Sequence, residues 1–122
     1  MNRDAFERAV GEAIDELPKD VLRQIANVAF VVEELPDEET LEMTEVDDPA
    51  ELFGFYHGIP LTERTSGYGM VLPDKISIYR QSIQQSCRND DEVREMIRET
   101  VRHEIAHYFG IDDDRLEELG RY

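Results

Sequence analysis

The chain has 122 residues, of which 40% are hydrophobic, and this length predicts one domain over residues 1–122 with a modest core. A formal net charge of −16, from 13 basic and 29 acidic residues, argues against nucleic acid or an anionic membrane as a partner. The N-terminal sequence MNRDAFERAV lacks the apolar segment of a signal peptide, and no apolar run approaches the roughly 18 residues of a spanning helix. With Cys87 as its single cysteine the chain cannot form an intramolecular disulfide, and we expect a soluble, cytoplasmic protein.

The acidic excess has two interpretations. It can simply keep the protein soluble, or it can attract divalent cations and favour basic peptide substrates through long-range steering. Composition does not separate these interpretations.

The N-terminal region predicts an amphipathic helix over residues 3–17, with Asn2 or Asp4 as its cap. Apolar residues recur along it at helical spacing: Phe6, Val10, Ile14 and Leu17. Pro18 ends this helix and can open a short second one. The apolar, β-branched segment 27–34 then predicts a buried strand.

The middle of the chain predicts less regular structure. Seven of the twelve residues 37–48 are acidic and show no clear period, which indicates a solvated loop, with a charged flap over a site as the alternative. One helical turn is expected at residues 49–52. The aromatic and glycine-containing segment 53–60 predicts a short strand that ends in a turn, and residues 62–70 predict a flexible connection.

The C-terminal half predicts a strand and two helices. Alternating polarity at residues 76–79 indicates a half-exposed strand, and residues 81–88 favour a short helix. A long helix follows, with Asp90 as the expected N-cap. Its packing face is marked by apolar residues at helical spacing: Val93, Ile97, Val101 and Ile105.

The end of this long helix carries a metal-site pattern. Residues 103–113 read HEIAHYFGIDD, which contains H-E-x-x-H. His103 and His107 lie one helical turn apart on the same face, pointing away from the apolar stripe, so both imidazoles can reach one ion. Glu104 projects about a quarter-turn further round, given about 3.6 residues per turn, where it lies beside the metal and can act as a base.

The residues after the second histidine predict a third ligand. Gly110 can end the helix in the left-handed conformation that glycine tolerates. Asp113 then falls where the returning chain can present a carboxylate, with Asp112 and Asp114 as alternatives. Zinc is the leading candidate for a set of two histidines and one carboxylate.

The motif also resembles the extended signature of the metzincin-type metallopeptidases, with an aspartate in place of the usual third histidine. More closely, nearly the whole chain is similar to the small single-domain minimal zincin family. The resemblance is carried by residues 5–18, by FGFYHGIPL at 53–61, by PDKISIYR at 73–80, and by the motif through Gly120.

This resemblance implies an α+β fold in which a short mixed sheet of about three or four strands packs on helices, including the C-terminal active-site helix. It implies Zn²⁺ held by His103, His107 and Asp113, with Glu104 as the general base and a peptide or protein as substrate. It also implies that strand 76–79 runs along the cleft edge and pairs with the substrate backbone. On its alternation alone, that strand could equally be an ordinary edge or central strand.

One departure from the metzincins leaves a second function open. Those enzymes place a methionine-containing turn after the third ligand, and no methionine follows Asp113. The alternative is therefore a non-catalytic interaction protein that keeps the scaffold, with a structural or absent metal.

Four further side chains have ordinary interpretations. His57 is expected in a turn or at the surface, with a fourth ligand or a substrate contact as the alternative. Three tyrosines are expected to be buried or half-buried, and one of them could donate a hydrogen bond to an oxyanion: Tyr56, Tyr79 and Tyr108.

Overall fold

The computed structural model describes residues 1–60 and 74–111 of the protein. The elements in chain order are α1 (Arg3–Asp15), α2 (Lys19–Gln24), β1 (Ala29–Glu33), α3 (Glu38–Glu42), a 3-10 helix (Pro49–Glu51), β2 (Gly54–His57), β3 (Lys75–Tyr79), α4 (Arg80–Gln85) and α5 (Asp90–Tyr108). The predicted α+β class, with a small mixed sheet packed on helices, is confirmed. Across the described ranges, no helix combines the length and the apolar character that crossing a membrane requires.

The three described strands form one sheet in the order β1, β3, β2. β1 runs parallel to β3 and β2 runs antiparallel to it, so β3 is hydrogen-bonded on both sides. The predicted role of residues 76–79 as a cleft-edge strand is therefore wrong, because the backbone of β3 is already paired. Alternation along a strand reports which side chains face the core, and it carries no information about strand order.

β3 is also more buried than its alternating polarity predicts. Ile76 and Ile78 are fully buried toward the core, and Ser77, on the other face of the sheet, is fully buried as well. On that second face the hydroxyl group of Tyr79 is hydrogen-bonded to Ser77 and to Thr40 of α3, and burial raises the pKa of Tyr79 to about 12. A central strand covered on both faces excludes water from its polar residues too.

Helix α3 lies inside the acidic segment that was predicted as a loop, and this prediction is wrong. The Asp37 side chain caps the helix by accepting a hydrogen bond from the Thr40 backbone nitrogen at 2.7 Å. Hydrogen bonds from the Thr40 side chain and from this backbone nitrogen lower the Asp37 pKa. Glu38 and Glu39 occupy the first turn, where negative charge is favourable. A helix of five residues is too short to produce a recognisable apolar period, which explains why periodicity missed it.

The two long helices form the core with the sheet. α5 packs against β2 and β3, and α1 packs against α5. Side chains from all three layers are fully buried there: Phe6, Ile76, Ile78, Ile97 and Val101. Burial of these apolar side chains is the main favourable contribution to the packing of α5 against the sheet. It therefore also fixes the position of the side chains on the rest of this helix.

The helix ends differ from the predictions by a few residues. Asn2 caps α1, as one of the two predicted candidates, and the helix ends at Asp15, two residues before its predicted end. Pro18 is the N-cap of α2, as its position suggested. Asn89, and not the predicted Asp90, caps α5, because Asn89 has the extended backbone that a cap requires and accepts from the Glu92 backbone nitrogen at 2.9 Å.

Candidate metal site

The H-E-x-x-H pattern lies in the last two turns of α5. The opposite face of the helix is the predicted apolar stripe, and all four of its members are buried: Val93, Ile97, Val101 and Ile105. The His103 and His107 side chains keep 23% and 28% of their surface exposed, so they face away from the core as predicted. Both side chains therefore keep part of their surface in contact with solvent at this end of the helix.

Three side chains converge at this end of the helix. The rings of His103 and His107 are 4.5 Å apart between centroids and meet edge to face. The Glu104 carboxylate lies near both rings, with Oε1 at 3.2 Å from His107 Nδ1 and Oε2 at 4.0 Å from His103 Nε2. One ligand atom from each of the three residues falls within 4.8 Å of the others, close enough to hold one metal ion.

The donor set suits zinc. Zinc is bound in proteins by imidazole nitrogen, thiolate sulfur and carboxylate oxygen, and two imidazoles beside a carboxylate match this preference. The Glu104 side chain is 7% exposed, and a carboxylate so far removed from water requires a partner. The neighbouring imidazoles supply one, and a bound cation would add to it.

Helix α5 ends at Tyr108, and Gly110, two residues later, takes the left-handed conformation that the sequence predicts. Gly110 has φ 87°, and its backbone nitrogen donates to the His107 carbonyl at 2.9 Å. The Ile111 nitrogen donates to the Ala106 carbonyl, also at 2.9 Å, which completes a Schellman motif. The chain therefore turns immediately after the second histidine. Asp113 and its alternatives Asp112 and Asp114 lie outside the described residues, so the third ligand stays a prediction.

The three tyrosines are buried, which confirms their ordinary interpretation. Tyr108 packs edge to face against Tyr56 at 5.8 Å, and its hydroxyl donates to the Gln24 carbonyl at 3.3 Å. The Tyr56 hydroxyl lies 2.9 Å from Asp74 Oδ1 and 3.0 Å from the Ile59 carbonyl. These contacts connect the end of α5 to β2 and to the last residue of α2, and they connect β2 to the residues that flank it and β3.

His57 belongs to a different cluster from the three convergent residues. Its Nε2 is 3.2 Å from Ser77 Oγ, and the Ser77 hydroxyl donates to the Glu33 carboxylate, so one polar row crosses β2, β3 and β1. Burial, assisted by Lys75, lowers the pKa of His57. This row was not foreseen, because its three members become neighbours only through the register of the strands.

Gly54 in β2 had no assigned role in the sequence-based predictions, yet it lies directly against Glu104. The sequence signal that could have identified it is a glycine inside an otherwise aromatic strand. Such a glycine often marks a place where another part of the protein approaches the backbone closely.

Known proteins resemble the chain at two levels. A profile of the family described as zincin-like metallopeptidase matches residues 25–121, a range that includes the whole H-E-x-x-H-x-x-G-x-x-D segment. No curated protein matches the chain. Among solved structures, a conserved hypothetical protein from Thermus thermophilus is similar, with 23% identity, a TM-score of 0.57, and coverage of 96% of this chain and 95% of that one. The structural similarity supports the fold alone.

Proposed function

The chain belongs to the zincin-like metallopeptidase family, and from this premise we propose that it is a zinc-dependent peptidase. The observation that carries the proposal is the convergence of His103, Glu104 and His107 at the end of α5. Two imidazoles and a buried carboxylate within reach of one another provide both a metal-binding pair and a proton acceptor.

His103 and His107 would hold Zn²⁺ together with Asp113, or with one of its neighbours Asp112 and Asp114. Zn²⁺ held by these three residues could still bind water or substrate. It would lower the pKa of a bound water to about 7 and polarise a substrate carbonyl.

Glu104 would act as the general base and acid. Its carboxylate would accept a proton from the attacking water and later return that proton to the leaving amine. The position of Glu104 supports this role, because its oxygens lie 3.2 and 4.0 Å from nitrogens of the two histidines and so border the volume where the reaction would occur. Burial would also strengthen its electrostatic interactions relative to water.

The substrate would be an extended peptide or protein segment. Among the described strands, β2 lies at the edge of the sheet and packs against α5, whereas β3 is enclosed. We therefore assign substrate pairing to β2, where main-chain hydrogen bonds could bind a peptide beside the metal.

The same contacts favour one alternative. Since the Glu104 carboxylate is as close to the histidine nitrogens as a ligand would be, it could itself complete a structural metal site. The protein would then be a non-catalytic member of the family that acts by interaction with a partner.

The variants Glu104→Gln and Glu99→Gln separate the two functions. Glu99 is exposed on the same helix and serves as the matched control. For a peptidase, we expect Glu104→Gln to keep one bound zinc and to lower kcat on a casein-derived peptide mixture by a factor of about 10² to 10⁴, the usual contribution of a general base. Glu99→Gln should behave like the wild type.

One outcome would contradict the proposed mechanism, and another would contradict the peptidase itself. Equal cleavage by the wild type and Glu104→Gln would remove Glu104 from the chemistry. Loss of zinc from Glu104→Gln, together with no cleavage by the wild type, would identify Glu104 as a structural ligand and favour the non-catalytic function.

A further inference from the structure

Gly54 occupies the point where β2 approaches α5 most closely. A Cβ atom at this position would lie 2.6 Å from Thr100 Cγ2, 3.2 Å from Glu104 Cγ and 3.1 Å from the Ser77 carbonyl oxygen. The first distance is shorter than real contacts of a Cβ atom allow, and the other two are tight. A side chain at position 54 would therefore separate the strand from the helix.

The reason for glycine here is space and not backbone conformation. Among the described residues, positive φ angles occur at Gly58 and Gly110 and not at Gly54. Other residues could adopt the backbone of Gly54, but none has a side chain small enough to fit beneath the helix.

The two helix residues that meet Gly54 are one turn apart. Thr100 is buried, and its hydroxyl donates to the Met96 carbonyl at 2.7 Å, which directs its methyl group at the strand. Glu104 follows four residues later and presents its Cγ to the same glycine. Because Cγ is directly bonded to the carboxyl carbon, any displacement of Cγ also moves the carboxylate.

We propose that Gly54 is a positioning residue that sets the location of the Glu104 carboxylate relative to the two histidines. Because glycine has no side chain, β2 can lie in contact with the Cγ atom of Glu104. This inference rests on the proposed function, in which that carboxylate is the base. The Glu104 contact with His107, at 3.2 Å, is the distance that the strand controls. A displacement of a few tenths of an ångström is enough to weaken a hydrogen bond of this length.

The test compares Gly54→Ala with a rescue variant and a control. In Gly54→Ala/Thr100→Ser, the worst contact is removed with Cγ2 while the tight contact with Glu104 Cγ stays. Gly11→Ala is the matched control, because a Cβ at Gly11 meets nothing within 4 Å. For each full-length variant, kcat, KM, bound zinc and the thermal denaturation midpoint are measured.

We expect Gly54→Ala to lower the denaturation midpoint and to reduce kcat about 10-fold, with zinc content unchanged, since a displacement of about 1 Å in a catalytic group can cost about 10²-fold. The double variant should recover most of the denaturation midpoint but not kcat. Gly11→Ala should keep the wild-type kcat. If kcat recovers in parallel with the midpoint, or if Gly54→Ala keeps full kcat, Gly54 is merely structural and the proposal is overturned.

A crystal structure of the double variant, which avoids the most severe clash, separates this inference from the proposed function. We expect the distance from Glu104 Oε1 to His107 Nδ1 to exceed about 3.5 Å, the outer limit of a hydrogen bond. An unchanged distance overturns the positioning role whether or not the protein cleaves peptides. A longer distance in a protein whose wild type cleaves nothing supports the positioning role and refutes the peptidase.

Discussion

Glu104 combines deep burial with close polar partners, a combination that a carboxylate rarely has by chance. Taking a charged carboxylate out of water is costly unless hydrogen bonds or opposite charges compensate for the lost hydration. Here the imidazole of His107 contacts one oxygen, and Gly54 allows the strand to cover the stem of the side chain. These neighbours make Glu104 a fixed group, which is what a general base requires.

Glu34 provides a residue-scale prediction about pH. Its carboxylate receives hydrogen bonds from the Arg80 guanidinium, with Nε at 2.9 Å from Oε2, and this interaction lowers the Glu34 pKa from 4.5 to about 2. Because the folded-state pKa is depressed, the stabilisation is complete above pH 4.5 and is lost as the pH falls toward 2.

We expect Glu34→Gln to lower the free energy of unfolding by about 1 kcal/mol at pH 6. This is less than the lowered pKa alone would give, because solvent screens the interaction between these two part-exposed side chains. The difference from the wild type should shrink steadily as the pH falls from 4.5 toward 2. Urea denaturation at each pH measures it, with Glu12→Gln, an exposed residue of α1, as control. A difference that does not change with pH would contradict the ionic origin of the stabilisation.

Helix α5 carries every described residue of the candidate site, so its two ends matter more than those of the other helices. At its start, Asn89 caps the helix, and Asp90, Asp91 and Glu92 place negative charge in the first turn. At its end, the Schellman motif around Gly110 stops the helix directly after the second histidine. Both ends act through local hydrogen bonds.

We predict at the scale of this element that Asn89→Ala lowers the free energy of unfolding by about 1 kcal/mol, because the Glu92 backbone nitrogen loses its acceptor. Asn89→Ser should retain most of the stability, since a serine hydroxyl can accept the same bond. Chemical denaturation provides the measurement. Equal losses in the two variants would show that the side-chain cap does not contribute. The proposed peptidase activity, measured per folded molecule, should be unchanged in both.

Long elements, and features that depend only on neighbouring residues, could be predicted from the sequence. Short elements, and features that depend on distant parts of the chain, could not. α1 and α5 were recognised from apolar residues at helical spacing, because several turns repeat the signal. α3 was missed because its five residues are held by one Asp37 cap and contain no repeat. β3 was recognised as a strand, but its central place in the sheet was not, since that depends on pairing with segments far away in the chain.

The net charge of −16 sets an expectation for the whole molecule. At pH 7 the acidic residues repel one another in the compact state, and added salt screens this repulsion. We therefore predict that raising NaCl from about 0.01 to about 0.3 M increases the thermal denaturation midpoint at pH 7. Near the calculated pI of about 4.4, where the net charge vanishes, the same addition should have much less effect. An equal response at both pH values would contradict net repulsion as the cause.

The sequence by itself determined the part of this protein whose geometry is local. His103, Glu104 and His107 lie within two turns of one helix, and Gly110 ends that helix through bonds to its own last turn, so spacing along the chain was enough to predict their arrangement. Only the tertiary structure decided that β3 is central, that the edge strand β2 packs against α5, and that Gly54 lies against the Glu104 side chain. Those facts depend on pairing and packing between residues separated by tens of positions. Such contacts are selected by burial of the whole core and leave little trace in any one segment.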